Sequence, residues 1–136
     1  MVLFKNRYFQ FVEISPVIIE CTVFKVEATD EEIYELMAQN DKFLADNIRR
    51  ITIFRLKDMK LMSADHRILI GNWTKANEEI IKKLTIGIAY MTESIISTMV
   101  LNMIFMVQKP VFPHIITKNE SEAQQWIKDM LDKEPI

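Results

Sequence analysis

The residue types that could do chemistry cluster near the middle of the chain. Asp58, Asp65 and His66 bring two carboxylates and an imidazole into one short segment. Such groups serve as metal ligands or as a general acid and base. The only other histidine is His114, and neither His-x-x-His nor Cys-x-x-Cys spacing occurs. Because carboxylates in polar loops are usually solvated, we expect no metal site, no cofactor and no catalytic residue.

Nucleophiles are equally scarce. Cys21 is the single cysteine and lies in a run of β-branched and aromatic residues, where a buried thiol is usually unreactive. With only two glycines, the chain lacks both a glycine-flanked nucleophilic serine and a phosphate-binding glycine loop. A single cysteine forms no intrachain disulfide, which favours a reducing cytoplasm. These features predict a protein that is not an enzyme.

Ser63 precedes a predicted helix and has two interpretations. Its hydroxyl can cap the helix by accepting a backbone N–H, which stabilises a helix by about 1 kcal/mol. A phosphorylated Ser63 would instead place negative charge beside the free N–H groups and the positive end of the helix dipole. Serine caps are common, so we favour the cap and keep phosphorylation as the alternative.

Length and composition fit one globular domain of 136 residues, 49% of them hydrophobic and 26% charged. A net charge of -2 and a pI near 5.7 argue against a nucleic-acid partner, which needs a basic face. The first residues lack the apolar region of a signal peptide. No apolar run reaches the roughly 18 residues of a membrane span. We therefore expect a cytoplasmic protein without a transmembrane segment.

Periodicity predicts alternating strands and helices. Strands are expected at residues 8–14, 17–26, 50–55, 86–90 and 114–116, which are rich in β-branched and aromatic residues. Helices are expected to begin near Thr29, Ser63, Ser94 and Asn119 or Ser121. Thr29 and Glu32 have capping-box spacing, the second helix reaches Leu84, and Gly71 within it indicates close packing. The order β-β-α-β-α-β-α-β-α predicts an α/β fold with a mixed five-stranded sheet, its first strand antiparallel and the rest mainly parallel.

The helix at residues 94–107 is too apolar for an ordinary surface helix. Three interpretations stay open: it belongs to the core, it forms a homodimer interface, or it lines a groove for an apolar ligand. The candidate interface or ligand-binding residues are Ile95, Met99, Met103, Phe105, Met106 and Phe112. Ser97, Thr98 and Asn102 form a narrow polar strip, which we expect to meet solvent or another helix.

Several segments carry a resemblance to a known family: Trp73 and Asn77, residues 87–90 and 94–107, Pro110 and Pro113, and residues 122–127. Together with the element order, they resemble the SpoIIAA-like superfamily, which includes STAS domains and the lipid-binding Sec14 or CRAL-TRIO fold. The resemblance covers about residues 8–131 and implies a single domain over residues 1–136. The family's regulatory serine falls in the region of Asp58 and Ser63, which are not adjacent here.

This resemblance implies a non-enzymatic regulatory or protein-interaction module. Its partner would be a second copy of the chain, bound through the helix at residues 94–107, or another protein. The alternative that the resemblance implies is a lipid or apolar small molecule held in a Sec14-like pocket.

Overall fold

The computed structural model describes residues 1–57 and 62–135. Six strands and five helices occur in these two ranges. The strands are β1 (Val2–Lys5), β2 (Phe9–Ser15), β3 (Ile18–Val23), β4 (Arg50–Leu56), β5 (Thr85–Met91) and β6 (His114–Thr117). The helices are α1 (Asp30–Ala45), α2 (Ala64–Ala76), α3 (Glu78–Leu84), α4 (Ile95–Val107) and α5 (Glu120–Asp132).

The six strands form one sheet in the order β1-β2-β3-β4-β5-β6. The β1–β2 and β2–β3 pairs are antiparallel, whereas β3 to β6 run parallel. At the centre, Ile53 of β4 pairs with Glu20 of β3 and with Ala89 of β5. From β3 to β6, each parallel strand is added on the same side of the strand before it. Right-handed crossovers therefore place the connecting helices on one face.

The two faces of the sheet pack against different helices. On the first face, Phe9 and Cys21 belong to a buried cluster that also contains Ile33 of α1 and Leu101 of α4. On the second face, Ile51, Ile53 and Ala89 pack with Ala123 and Ile127 of α5. Because strand side chains alternate between faces, the even-numbered residues of β4 point towards α1, α2 and α4.

The α/β class and the mixed sheet with an antiparallel leading strand are confirmed, but the expected count of five strands is wrong. The additional strand is β1, which has four residues and pairs with β2. There Phe4 stacks on Phe9 with ring centroids 5.3 Å apart. A strand of this length shows too little alternation to be distinguished by periodicity, so only its pairing with β2 reveals it.

The helix expected from Ser63 to Leu84 is in fact two helices. Asn77 separates α2 from α3, with φ −109° and ψ 15°. Its Nδ2 donates to the Trp73 carbonyl at 2.9 Å. The same carbonyl also accepts from the Asn77 N–H at 3.1 Å, so the side chain competes with the regular helical bond, which favours a break at this residue.

Helix α1 begins as its sequence predicts. Thr29 Oγ1 accepts from Glu32 N at 3.2 Å, and Glu32 Oε1 accepts from Thr29 N at 2.9 Å, so the capping box is confirmed. Asn119 caps α5 by accepting from Glu122 N at 3.0 Å. In the described ranges, every helix is too short or too polar to cross a membrane.

Candidate functional site

A cavity of about 210 Å³ lies between the first face of the sheet and the helices. Helices α1, α2 and α4 line it with residues such as Phe43, Ile70 and Leu101. Its floor includes the alternate residues of β4, which are Arg50, Thr52, Phe54 and Leu56. Concave apolar sites of this kind are where proteins usually bind small molecules.

The helices cover β4 incompletely on this face. Thr52 and Phe54 remain partly exposed although they lie in the middle of a central strand. On the opposite face, Ile51 and Ile53 of the same strand are buried. The cavity therefore arises from the way α1, α2 and α4 pack over the sheet, and it adjoins the hydrophobic core.

Arg50 is the one charged residue among those that line the cavity in the described part of the chain. It begins β4 beside Thr85 of β5, and its side chain is 13% exposed. Its Nη2 donates to Asp46 Oδ2 at 3.0 Å, and its Nη1 donates to the Phe43 carbonyl at 3.3 Å. The guanidinium carbon lies 5.4 Å from the centroid of the Phe43 ring.

The Nε of Arg50 is buried and has no hydrogen-bond partner within residues 1–57 and 62–135. A buried donor without an acceptor costs about 1–3 kcal/mol. Arginine carries five N–H donors, and the contacts with Asp46 and Phe43 engage only some of them. The guanidinium can therefore bind a further acceptor.

The far end of the cavity is aromatic. Tyr90 stacks on Phe54 with ring centroids 5.5 Å apart and meets Phe105 edge-on at 5.7 Å. Burial raises the pKa of Tyr90, and burial also raises the pKa of Tyr8, which lines the cavity as well. Both phenols stay protonated at neutral pH, so this end of the cavity is uncharged.

The structure separates the six residues that the sequence proposed for an interface or an apolar ligand. Phe105 and Phe112 line the cavity. Met103 is half-buried. The other three face outward: Ile95 is 79% exposed, Met99 is 44% exposed and Met106 is 85% exposed. Helix α4 therefore has one face towards the cavity and a second apolar face on the surface.

The polar strip expected at Ser97, Thr98 and Asn102 does not form one exposed surface. Ser97 is fully buried, and its hydroxyl donates to the Leu56 carbonyl at 3.2 Å. Thr98 is half-buried, and Asn102 is exposed. The expectation is wrong for Ser97 because its side chain faces the end of β4, where its hydroxyl and that of Thr92 both donate to the Leu56 carbonyl.

The polar segment around Ser63 lies at the start of α2. Ser63 caps α2 by accepting from His66 N at 3.2 Å, while its phosphorylation stays a prediction. His66 Nε2 lies 2.7 Å from Asp30 Oδ1, a partner on α1 that sequence reasoning missed. Asp65 is exposed, and Asp58 lies outside the described residues. Apart from residues 58–61 and 136, the chain contains no group of three His, Cys, Asp or Glu side chains suited to a metal ion.

No protein-family profile matches this sequence, and no curated protein matches it either. The cavity and Arg50 are therefore the features of the molecule that bear on its function. Sequence reasoning treated Arg50 only as the first residue of a strand. The signal was its alternation with Thr52 and Phe54, because a charged residue on the inward face of a central strand is rare unless it has a partner.

Proposed function

We propose that this protein is a non-enzymatic binding domain for a small apolar molecule, held between the sheet and helices α1, α2 and α4. The observation that supports this function is the cavity of about 210 Å³ with its mainly apolar lining. It favours ligand binding over self-association, which the sequence alone placed first. A SpoIIAA-like classification remains part of the proposal, supported by the mixed sheet with its antiparallel leading strand.

The volume of the cavity limits the size of the ligand. An engineered cavity of about 150 Å³ binds benzene, whereas sites for drug-sized molecules span about 300–1,000 Å³. The volume here, about 210 Å³, lies between these values. It suits a short hydrocarbon chain or a single ring system better than a whole phospholipid.

A series of linear alcohols from butan-1-ol to octan-1-ol tests this function. Burial of each methylene contributes about 0.8 kcal/mol, so Kd should fall about fourfold per added carbon. The affinity should stop rising once the chain fills the cavity. Isothermal titration calorimetry measures each Kd, and a lack of binding across the whole series would contradict the proposal.

Thr52→Phe fills the cavity from its floor and should abolish alcohol binding. The added ring occupies space beside Phe54, so the variant should keep its circular dichroism spectrum and its cooperative unfolding. Thr22→Phe is the matched control, because Thr22 lies on the neighbouring strand β3 and points to the other face of the sheet. It should bind octan-1-ol as the wild type does.

The outward face of α4 supports a second candidate function, which is association with another copy of the chain or with a different protein. Ile95, Met99 and Met106 lie within about 40° of one another around the helix, so they form one stripe. All three are exposed. Contiguous exposed apolar residues often mark interaction surfaces.

Sedimentation velocity tests self-association directly. A wild-type dimer should become a monomer in Met106→Glu, because the charge falls on the most exposed residue of the stripe. Asn72→Glu adds the same charge to an exposed position of α2 and should leave the dimer intact. Phe105→Glu is unsuitable here, because Phe105 lines the cavity. A wild type that stays monomeric at high concentration would remove this candidate.

A further inference from the structure

We infer that the ligand is a small amphiphilic anion, whose carboxylate pairs with Arg50 while its hydrocarbon part occupies the cavity. This inference rests on the proposed function, because it requires the cavity to hold a ligand. It adds the chemical class of that ligand: a short-chain or single-ring carboxylic acid in its ionised form.

The two ends of the cavity differ in charge. Arg50 and Phe54 of β4 both line it, and Phe54 lies beside Tyr90 of β5. At about 3.3 Å of rise per residue, Arg50 and Phe54 lie about 13 Å apart along the strand. Arg50 makes the first end cationic, whereas Tyr90 and Phe105 make the second end aromatic and uncharged. A molecule with one anionic end and one apolar end matches this distribution.

The unsatisfied Nε–H of the Arg50 guanidinium favours an anionic head group over a neutral one. Its buried Nε has no acceptor within the described ranges, so a neutral hydrocarbon would leave this donor unsatisfied. A carboxylate can accept from Nε and from one Nη together, in the bidentate geometry that suits arginine. A cationic ligand would meet a like charge at Arg50 in an apolar surrounding, which is unfavourable.

Other groups near the cavity compete only weakly with this pairing. Asp46 already accepts from Nη2, but its side chain is 51% exposed, and exposed ion pairs contribute about 0–1 kcal/mol. Asn40 Nδ2 and Thr74 Oγ1 also belong to lining residues, and they donate to carbonyls of their own helices at 2.9 Å. Arg50 is thus the group that selects the ligand's charge.

Calorimetric titration with octanoate, octan-1-ol and octylammonium at neutral pH tests the inference. Octanoate should bind at least about tenfold more tightly than octan-1-ol, because a hydrogen-bonded charge is added to the same hydrocarbon chain. Arg50→Met should abolish this difference between octanoate and octan-1-ol. Asp46→Asn should strengthen octanoate binding and leave octan-1-ol binding unchanged, because it removes the negative charge that competes for Arg50. This second variant keeps the test decisive if Arg50→Met fails to fold.

The outcomes separate the inference from the function on which it rests. Equal affinities for octanoate and octan-1-ol, or tightest binding of octylammonium, would overturn the anionic ligand and leave the apolar binding function intact. If none of the three probes binds, both the inference and the proposed function are wrong.

Discussion

Gly71 of α2 lies so close to Val107 of α4 that a Cβ atom at residue 71 would come within 2.3 Å of Val107 Cγ1. The same atom would lie 2.6 Å from Val107 Cβ, which cannot move without its backbone. The close packing that this glycine indicated in the sequence is confirmed. Because α2 and α4 both line the cavity, their contact sets the position of one of its walls.

Gly71→Ala should destabilise the protein by about 1–3 kcal/mol, the usual cost of overpacking. A loss of stability would indicate the contact with Val107, because alanine is the better helix former by about 1 kcal/mol and would otherwise stabilise α2. Urea unfolding measures the change. Asn72→Ala, at the exposed neighbouring position, is the control and should be neutral or stabilising. Val107→Ala combined with Gly71→Ala should recover part of the loss, and strict additivity of the two changes would contradict the contact.

Ser97→Ala should lower the free energy of unfolding by about 1 kcal/mol, because it removes a buried hydrogen bond to the Leu56 carbonyl. The loss should stay moderate because Thr92 Oγ1 also donates to that carbonyl, at 2.9 Å. Thr98→Ala is the matched control, since its hydroxyl only bonds back to the Ser94 carbonyl of the same helix turn. Equal effects of the two variants would contradict the role assigned to Ser97.

Cys21 should be unreactive towards a thiol reagent while the protein is folded. The side chain is fully buried in β3, and burial raises the pKa of its thiol. The reactive thiolate is therefore both scarce and inaccessible at mildly alkaline pH. Absorbance with Ellman's reagent should show one equivalent of thiol only after denaturant is added. Ser63→Cys places a second thiol at an exposed position and should react at once in the folded protein.

The ion pair between Glu120 and Arg55 should make the free energy of unfolding depend on pH in the acid range. Both carboxylate oxygens of Glu120 accept from Arg55 at 2.9 Å, and these bonds lower the pKa of Glu120 to about 2. Because the folded pKa lies below the ordinary glutamate value of about 4.3, the stabilisation is complete above that value. It is lost as the pH falls through about 2. With a side chain that is 54% exposed, the contribution is at most about 1 kcal/mol.

Glu120→Gln should therefore flatten the dependence of unfolding free energy on pH in this acid range. Urea unfolding at a series of pH values measures the slope. Glu122→Gln removes an exposed carboxylate from the same first turn of α5 and should change the slope less. Parallel curves for the wild type and Glu120→Gln would contradict the lowered pKa.

Local features were predictable because they depend on residues near each other in sequence. The capping box of Thr29 and Glu32 is such a feature, since the helix start and its hydrogen bonds lie within four residues. Strand β1 was missed because its evidence is the pairing with β2, and the break at Asn77 was missed because apolar spacing continues across it. Arg50 was missed because its role depends on the packing of α1 and the other helices over β4.

The α/β class, the alternation of strands and helices and the antiparallel leading strand could all be predicted from the amino-acid sequence alone. Periodicity and capping encode these locally, over a few residues at a time. The packed fold was needed to show which face of α4 is buried, that Ser97 bonds to β4, and that a cavity with Arg50 at one end lies beneath the helices. The reason is physical: a cavity is the space left when distant side chains pack, and close contacts such as that of Gly71 with Val107 set its walls.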